Sequence, residues 1–300
     1  GLTKVDEKTQ RKYDFFIGRV MFPFYSISGQ VIGFGGRVLD ARTKGVNIKY
    51  LNSPESEIYD KRKTLYGIYQ ARSEIVRQKK CYLVEGYTDV ISMYMAGVKN
   101  VVASSGTSLT EDQIRIIHKL TDDITVLYDG DSAGIHASLR GIDMILAQGL
   151  NVRVVLFPDG DDPDSFAKKN GSEKTIEYLN EHEEDFISFK SRISKQEADK
   201  DPLKRAAMIT DIVKTISVID DQIKQTVYLQ ECSKILEIDE NTLYSELMKF
   251  RRKKINDGKS PTGYGQQQKP EPQLPQQPRV PKAIGNKEIG NGLDLKVNTK

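Results

Sequence analysis

Hydrophobic positions in this chain follow two regimes. In residues 19–51 short apolar runs alternate with turn residues: Val20–Phe24, a Ser28-Gly29 turn, Val31–Leu39, then Val46–Leu51. That pattern predicts a small antiparallel sheet. Leu65–Lys79 reads as a helix. From Lys80 the chain alternates strand and helix. Strands are expected at Cys81–Val84, Val101–Ala103, Ile124–Tyr128 and Val152–Phe157, with helices at Asp89–Ala96, near Thr110–Leu120 and at Ser132–Gln148. Thr110-Glu111-Asp112 has the chemistry of a helix start, and Gly149 that of a stop. Such alternation implies a parallel sheet with helices on its faces.

After about Thr175 no further strand is expected, and Ile176–Ser194, Pro202–Ser217, Asp221–Leu236 and Glu240–Lys253 all carry helical periodicity. Beyond Asn256 the chain turns to Gln, Pro, Gly and Lys, holding six of the eleven prolines. Too little apolar surface remains there for a core, so a disordered linker or tail is expected. The organisation is thus a basic antiparallel subdomain (1–79), an α/β domain with a parallel sheet (80–175), a helical subdomain (176–255) and a Gln/Pro-rich tail (256–300). There are no internal repeats.

Composition narrows the class only slightly. With 300 residues, 38% of them hydrophobic, the chain can build one or two domain cores. No apolar run approaches the roughly 18 residues that span a bilayer, and Gly1–Lys12 is polar, so a cytoplasmic location without membrane contact is expected. Cys81 and Cys232 cannot supply a disulfide framework or a four-ligand zinc site, so no zinc is expected. Charge changes the picture more. Residues 1–80 hold 16 Lys and Arg against 8 Asp and Glu, whereas the remainder holds 29 against 34. A basic front joined to an acidic middle suits a protein that grips a polyanion and holds cations, although an uneven solvated surface would look the same.

The candidate chemistry lies at the strand ends. In an open parallel sheet, ligands bind beyond the carboxyl ends of the strands. The first strand runs into Glu85-Gly86, the third into Asp129-Gly130-Asp131, and the fourth into Asp159-Gly160-Asp161-Asp162-Pro163-Asp164. A glycine beside each acid allows a sharp turn and leaves room for a ligand. Each cluster alone is ordinary loop composition, but three on one edge repel one another unless cations intervene. All-oxygen ligands without nearby His or Cys favour Mg²⁺ or Mn²⁺, and paired hard cations serve phosphoryl transfer. His118, His136 and His182 share no ligand spacing and read as structural. Phe22, Phe24, Tyr25 and Phe34 read as core in preference to base-stacking platforms.

Glu85-Gly86 after one strand, followed by Asp129-x-Asp131 after a later one, resembles the TOPRIM domain of primases, topoisomerases and some nucleases. The residues around it resemble the bacterial-type DNA primase in particular: Glu85–Val90, Ala103–Ser108, Tyr128–Gly134 and Pro158–Asp164. Upstream, Arg19–Pro23, Gly33–Arg37, Lys49–Glu55, Lys61 and Leu65–Gly67 are similar to that family's basic subdomain in order and spacing. The resemblance is close over about Arg19–Asn170 and looser in the helical region. It implies RNA primer synthesis on single-stranded DNA by metal-dependent nucleotidyl transfer during bacterial DNA replication. Glu85, Asp129 and Asp131 would be catalytic and metal-binding, with Asp162 and Asp164 completing the acidic centre and Asp89 supporting it. Arg19, Arg37, Lys49, Asn52 and Lys61 would bind nucleotide or template.

Ribonucleoside triphosphates and a single-stranded template are the implied partners, and the replicative helicase would be met through a domain absent here. The family's zinc-binding domain is also absent, and only 18 residues precede Arg19, so the chain reads as a fragment or truncated form. Two other readings stay open: a TOPRIM nuclease or topoisomerase cleaving phosphodiesters, and a non-catalytic DNA-binding fragment.

Overall fold

The computed structural model describes residues 2–38, 48–106, 108–130, 132–158, 160–198 and 201–257. The chain opens on an antiparallel hairpin of β1 (Thr3–Val5) and β2 (Lys12–Asp14). Its loop is set by Asp6, whose carboxylate accepts hydrogen bonds from Lys8 N, Thr9 N and Thr9 Oγ1 at 3.1, 2.7 and 2.9 Å. A three-stranded antiparallel sheet follows in the order β3 (Arg19–Tyr25), β4 (Val31–Val38) and β5 (Tyr50–Asn52). In β4, side chains on Gly33, Gly35 or Gly36 would collide with the rings of Tyr59, Tyr87 and Phe16 at 2.8, 3.0 and 2.6 Å. The glycine-rich strand is therefore a surface on which aromatic rings pack closely. A 3₁₀ turn at Lys61–Lys63, capped by Asp60, leads to α1 (Ile68–Gln78).

The main sheet contains β6 (Cys81–Val84), then α2 (Tyr87–Met95), β7 (Val101–Ala103), α3 (Glu111–His118) and β8 (Asp123–Tyr128). It continues with α4 (Ser132–Ala147), β9 (Asn151–Leu156), α5 (Pro163–Glu181) and the two-residue β10 (Glu184–Asp185). Spatial order is β7-β6-β8-β9-β10, parallel except for β10. The interior strands are largely apolar on both faces, as parallel sheets between two helical layers require, with Thr125 and Arg153 as exceptions. Tyr82, Val84, Leu127 and Val155 pack with residues of α2 and α5 on one face. Cys81, Leu83, Val126 and Val154 pack on the other with α1, α3, α4 and the helices beyond. Cys81 is fully buried, and desolvation pushes its thiol far above the ordinary range. At the outer edge of β7, Tyr66 exchanges both backbone hydrogen bonds with Ala103 at 2.9 and 3.0 Å, so the carboxyl end of that edge strand is already paired.

Among the described residues, four helices follow: α6 (Phe186–Ala198), α7 (Pro202–Ser217), α8 (Gln222–Leu236) and α9 (Glu240–Asp257). Two of them, α6 and α7, are bound to α4 by a buried polar network. Lys190 of α6, whose side chain is 3% exposed, donates to Asp211 at 2.9 Å and Thr215 at 2.5 Å, and Thr215 donates to Asp143 of α4 at 2.7 Å. Each buried polar atom in that chain gains a partner, which is the condition for burying a lysine at tolerable cost.

The fold is the expected α/β arrangement: a parallel sheet with flanking helices, an antiparallel basic part before it and helices after it. One expectation is corrected. A strand does occur after Thr175, because β10 breaks the anticipated Ile176–Ser194 helix and pairs antiparallel with β9. Two charged residues carry no apolar alternation, so only backbone pairing defines that strand. Neither the hairpin of β1 and β2 nor the start of α5 at Pro163 follows from the hydrophobic pattern. Residues 39–47 and 258–300, including the tail from Gly258, lie outside the described residues.

Candidate active site

Strand order β7-β6-β8 puts a switch point between β6 and β8, because their following helices, α2 and α4, lie on opposite faces. The crevice this opens at the carboxyl ends is where open α/β sheets bind ligands. Glu85 directly follows β6 and Asp129 directly follows β8, so the two acids flank that crevice.

Backbone hydrogen bonds fasten the strand-end loops in pairs. Ser105 N donates to Glu85 O at 3.0 Å, joining the loops after β7 and β6. Gly130 N donates to Asp161 O at 3.0 Å, joining the loops after β8 and β9. Ser105 holds a left-handed backbone, φ 59°, which costs a non-glycine residue on the order of 1–2 kcal/mol. It is held there from the basic side as well: Asn52 Nδ2 donates to Ser105 O at 3.0 Å. Asn52 thereby ties β5 to the loop that touches Glu85, while its buried Oδ1 has no hydrogen-bond partner.

The glycines of the acidic loops serve different ends. Gly160 takes a left-handed turn, φ 80°, with nothing within 4 Å of the point where a Cβ would sit. Gly130 is needed for space: a Cβ there would lie 2.3 Å from Pro158 O.

Asp89 is the electrostatic centre. Its side chain is buried, and Oδ2 accepts a hydrogen bond from Gly86 N at 3.0 Å. Burial, opposed by that hydrogen bond and reinforced by the negative charges of Asp162, Asp129 and Asp164, raises its carboxyl to about 7. Three of the acids assigned from sequence therefore act on one buried carboxyl. Asp162 caps α5, its Oδ1 accepting from Ser165 N at 2.6 Å. Asp164 accepts from Ser92 and pairs with Lys168 at 2.7 Å. Asp131 lies outside the described residues. Among the described residues no group of three or more acidic, His or Cys side chains forms a ready metal cage. The oxygen-only donors and their mutual repulsion nonetheless fit a hard divalent cation.

Burial of Asp89, with the repulsion added to it, has a measurable consequence in metal-free protein. Asp89 is raised in the folded state above its unfolded value of 3.8, so folding takes up a proton between about pH 4 and 7. Its contribution is full below pH 3.8 and is lost as pH rises through about 7. In chelator, the melting temperature of wild type relative to Asp89→Asn should fall from pH 5 to 7.5 and level off above. Parallel melting curves for the two proteins would show that Asp89 titrates as an ordinary carboxyl.

The basic residues are distributed differently. Arg37 of β4 lies opposite Tyr50 in register, its guanidinium 5.4 Å from that ring's centre, and Lys49 Nζ lies 5.9 Å from the same ring. The charges of Arg37 and Arg19 act on the phenol of Tyr87, whose buried hydroxyl has no hydrogen-bond partner. Arg19 gives its guanidinium to the carbonyls of Gly36, Lys49 and Ile48 at 3.4, 3.1 and 2.7 Å, which secures the chain entering β5. Lys61 sits on the 3₁₀ turn, and its carbonyl accepts from Gln113 at 3.2 Å. Sequence reasoning assigns no role to Tyr50, Tyr87, Ser105 or Gln113, although the first three lie inside the motifs that carry the resemblance. The one local signal is the Ser104-Ser105-Gly106 run, where a non-glycine and a glycine take consecutive left-handed conformations.

A parallel sheet with this switch-point acid pair defines a TOPRIM-type protein, and residues 82–167 match the Toprim-like family. Residues 1–72 match the family described as DNA primase catalytic core, N-terminal domain. A DNA primase domain from Pseudomonas aeruginosa superimposes with TM-score 0.72 at 31% identity, over 83% of this chain and 77% of that one. The DnaG primase catalytic domain bound to ssDNA gives TM-score 0.69 at 34% identity, over 80% and 75%. The DNA primase of Staphylococcus epidermidis is 33% identical over 262 residues, covering 87% of this chain and 43% of its own length. The chain belongs to the bacterial DnaG-type DNA primase family, as a catalytic core with a TOPRIM domain. It spans less than half the length of the curated relatives it matches.

Proposed function

We propose that this chain is a template-directed nucleotidyltransferase that joins ribonucleotides into short RNA primers on single-stranded DNA. The observation that carries the reading is the pairing of Glu85 and Asp129 across the switch point, beside a basic sheet fastened to the same edge through Asn52 and Ser105. The ssDNA-bound relative supports the choice of template.

In this reading a 3′ hydroxyl attacks the α-phosphorus of an incoming ribonucleoside triphosphate. A new P–O bond forms, the bond to the β-phosphate oxygen breaks, and pyrophosphate leaves. Glu85 stands nearest the role of accepting the hydroxyl proton. Glu85, Asp129 and Asp131 would hold Mg²⁺, or Mn²⁺ in its place, with Asp162 and Asp164 in support. Such an ion supplies charge neutralisation at the phosphates and activation of the hydroxyl. Arg37, Lys49 and Lys61 hold triphosphate or template phosphates, so binding weakens steeply with salt. Arg19 and Asn52 keep that platform in register with the acids. Residues 1–79 act as the basic platform, 80–175 as the TOPRIM domain, 176–255 as its helical support and 256–300 as a linker. Among the described residues no helix is long and apolar enough to cross a membrane, and the proposed setting is the cytoplasm at the replication fork, with the helicase engaged by other parts of the full-length protein.

Labelled ribonucleotides, single-stranded DNA and Mg²⁺ test this directly. Short RNA products are expected, with no nicking of supercoiled plasmid. Nicking without incorporation would move the chain to the cleavage reading. Salt-sensitive DNA binding with neither reaction would make it a binding module.

A further inference from the structure

Gln113 is fully buried at the third position of α3 and makes more hydrogen bonds than a helix cap needs. Its Oε1 accepts from Thr110 N at 3.1 Å while Thr110 Oγ1 accepts from Gln113 N at 3.2 Å, which completes a capping box. Glutamate would serve that box as well as glutamine. The amide nitrogen is the surplus. Gln113 Nε2 donates to Thr64 O at 2.7 Å, Lys61 O at 3.2 Å and Ser104 O at 3.4 Å. Thr110 Oγ1 adds a bond to Arg62 O at 2.5 Å. Two neighbouring side chains thus take up three carbonyls of the segment 61–64 and one from the loop after β7.

These segments are far apart in sequence and meet at the site. The first carries Lys61. The second runs from Ser104 into Ser105, whose N–H holds Glu85 O and whose carbonyl is held by Asn52. We propose that Gln113 is a positioning residue: its two amide N–H groups set the distance between the Lys61 turn and the Glu85 edge, and so align phosphates with the acids. The inference rests on the primase reading for its kinetic consequence, but its geometric half does not.

Gln113→Glu separates the two roles, because it keeps the cap and replaces the donors with acceptors facing three carbonyls. Gln113→Met removes the donors without burying a charge, and serves if the glutamate lowers protection throughout the main sheet. In ligand-free protein, hydrogen exchange should quicken at the amides of Lys63, Thr64 and Ser105 by roughly tenfold, the scale of one lost hydrogen bond, with β6 and β8 unchanged. Unchanged exchange at those amides overturns the proposal whether or not the protein makes RNA. In primer synthesis, KM for ribonucleotide should rise about tenfold with kcat nearly constant. Gln113→Met added to Lys61→Ala should then cost little beyond Lys61→Ala alone. Additive losses, or a fall in kcat alone, overturn positioning through Lys61. Wild-type protein that makes no RNA overturns the primase reading, and the exchange result still decides Gln113.

Discussion

Asp129→Asn protein should incorporate ribonucleotide roughly 10³-fold more slowly than wild type, a barrier increase of about 4 kcal/mol, while melting no lower in chelator. The two halves of that expectation have one cause. Carboxylates gathered at a strand edge destabilise the metal-free fold, and the raised carboxyl of Asp89 records part of this: burial is the main cause, and the charges of Asp162, Asp129 and Asp164 push it further the same way. The asparagine keeps shape and removes one charge, so repulsion falls while a metal ligand is lost. Wild type should gain melting temperature on adding Mg²⁺, since a ligand that binds only the folded state stabilises it. The variant should gain much less. Wild-type rates in Asp129→Asn would move the chemistry away from this edge.

That charge logic is legible in the sequence, because strand ends deliver their loops to a common edge in any parallel sheet. Cys81–Val84 followed by Glu85, and Ile124–Tyr128 followed by Asp129, need only apolar runs and the residue after each. Tertiary partners are not legible. Arg19 reads as a free cation in sequence, yet its guanidinium ends on three carbonyls 17 to 30 residues away. Gln113 reads only as part of a helix start, since its amide partners at Lys61 and Thr64 lie 52 and 49 residues upstream. Asp162 shows the opposite case. Asp before Pro163, with Ser165 three positions on, is a local helix-start signal, and taking Asp162 for a metal ligand alone overlooks it. Lys190 cannot be seen at all: nothing near it in sequence announces a buried lysine answered by Asp211 and Thr215.

Gly130→Ala tests whether the acidic edge depends on the spacing of its loops as well as on its charges. No carboxylate is removed, and the backbone at Gly130 is not left-handed, so alanine brings no conformational penalty of its own. The obstacle is steric. The new methyl carbon would sit 2.3 Å from Pro158 O, 2.7 Å from Pro158 C and 2.9 Å from Phe157 O. These are backbone atoms, which cannot rotate away as a side chain would. Relief requires the loops after β8 and β9 to part by the better part of an ångström, and that strains the bond from Gly130 N to Asp161 O. Asp129 lies on one loop and Asp162 on the other, so parting them widens the site. A displacement near 1 Å can cost about 10²-fold in rate, and that is the expected fall in primer synthesis. The Mg²⁺ concentration for half-maximal rate should rise with it, because ligands held too far apart bind a cation less well. Gly160→Ala is the contrasting variant: its side chain has empty space around it but must adopt φ near 80°. That substitution strains one turn and leaves the contact between the two loops intact. Equal losses of Mg²⁺ affinity in both variants would mean that local strain, and not loop spacing, governs the edge.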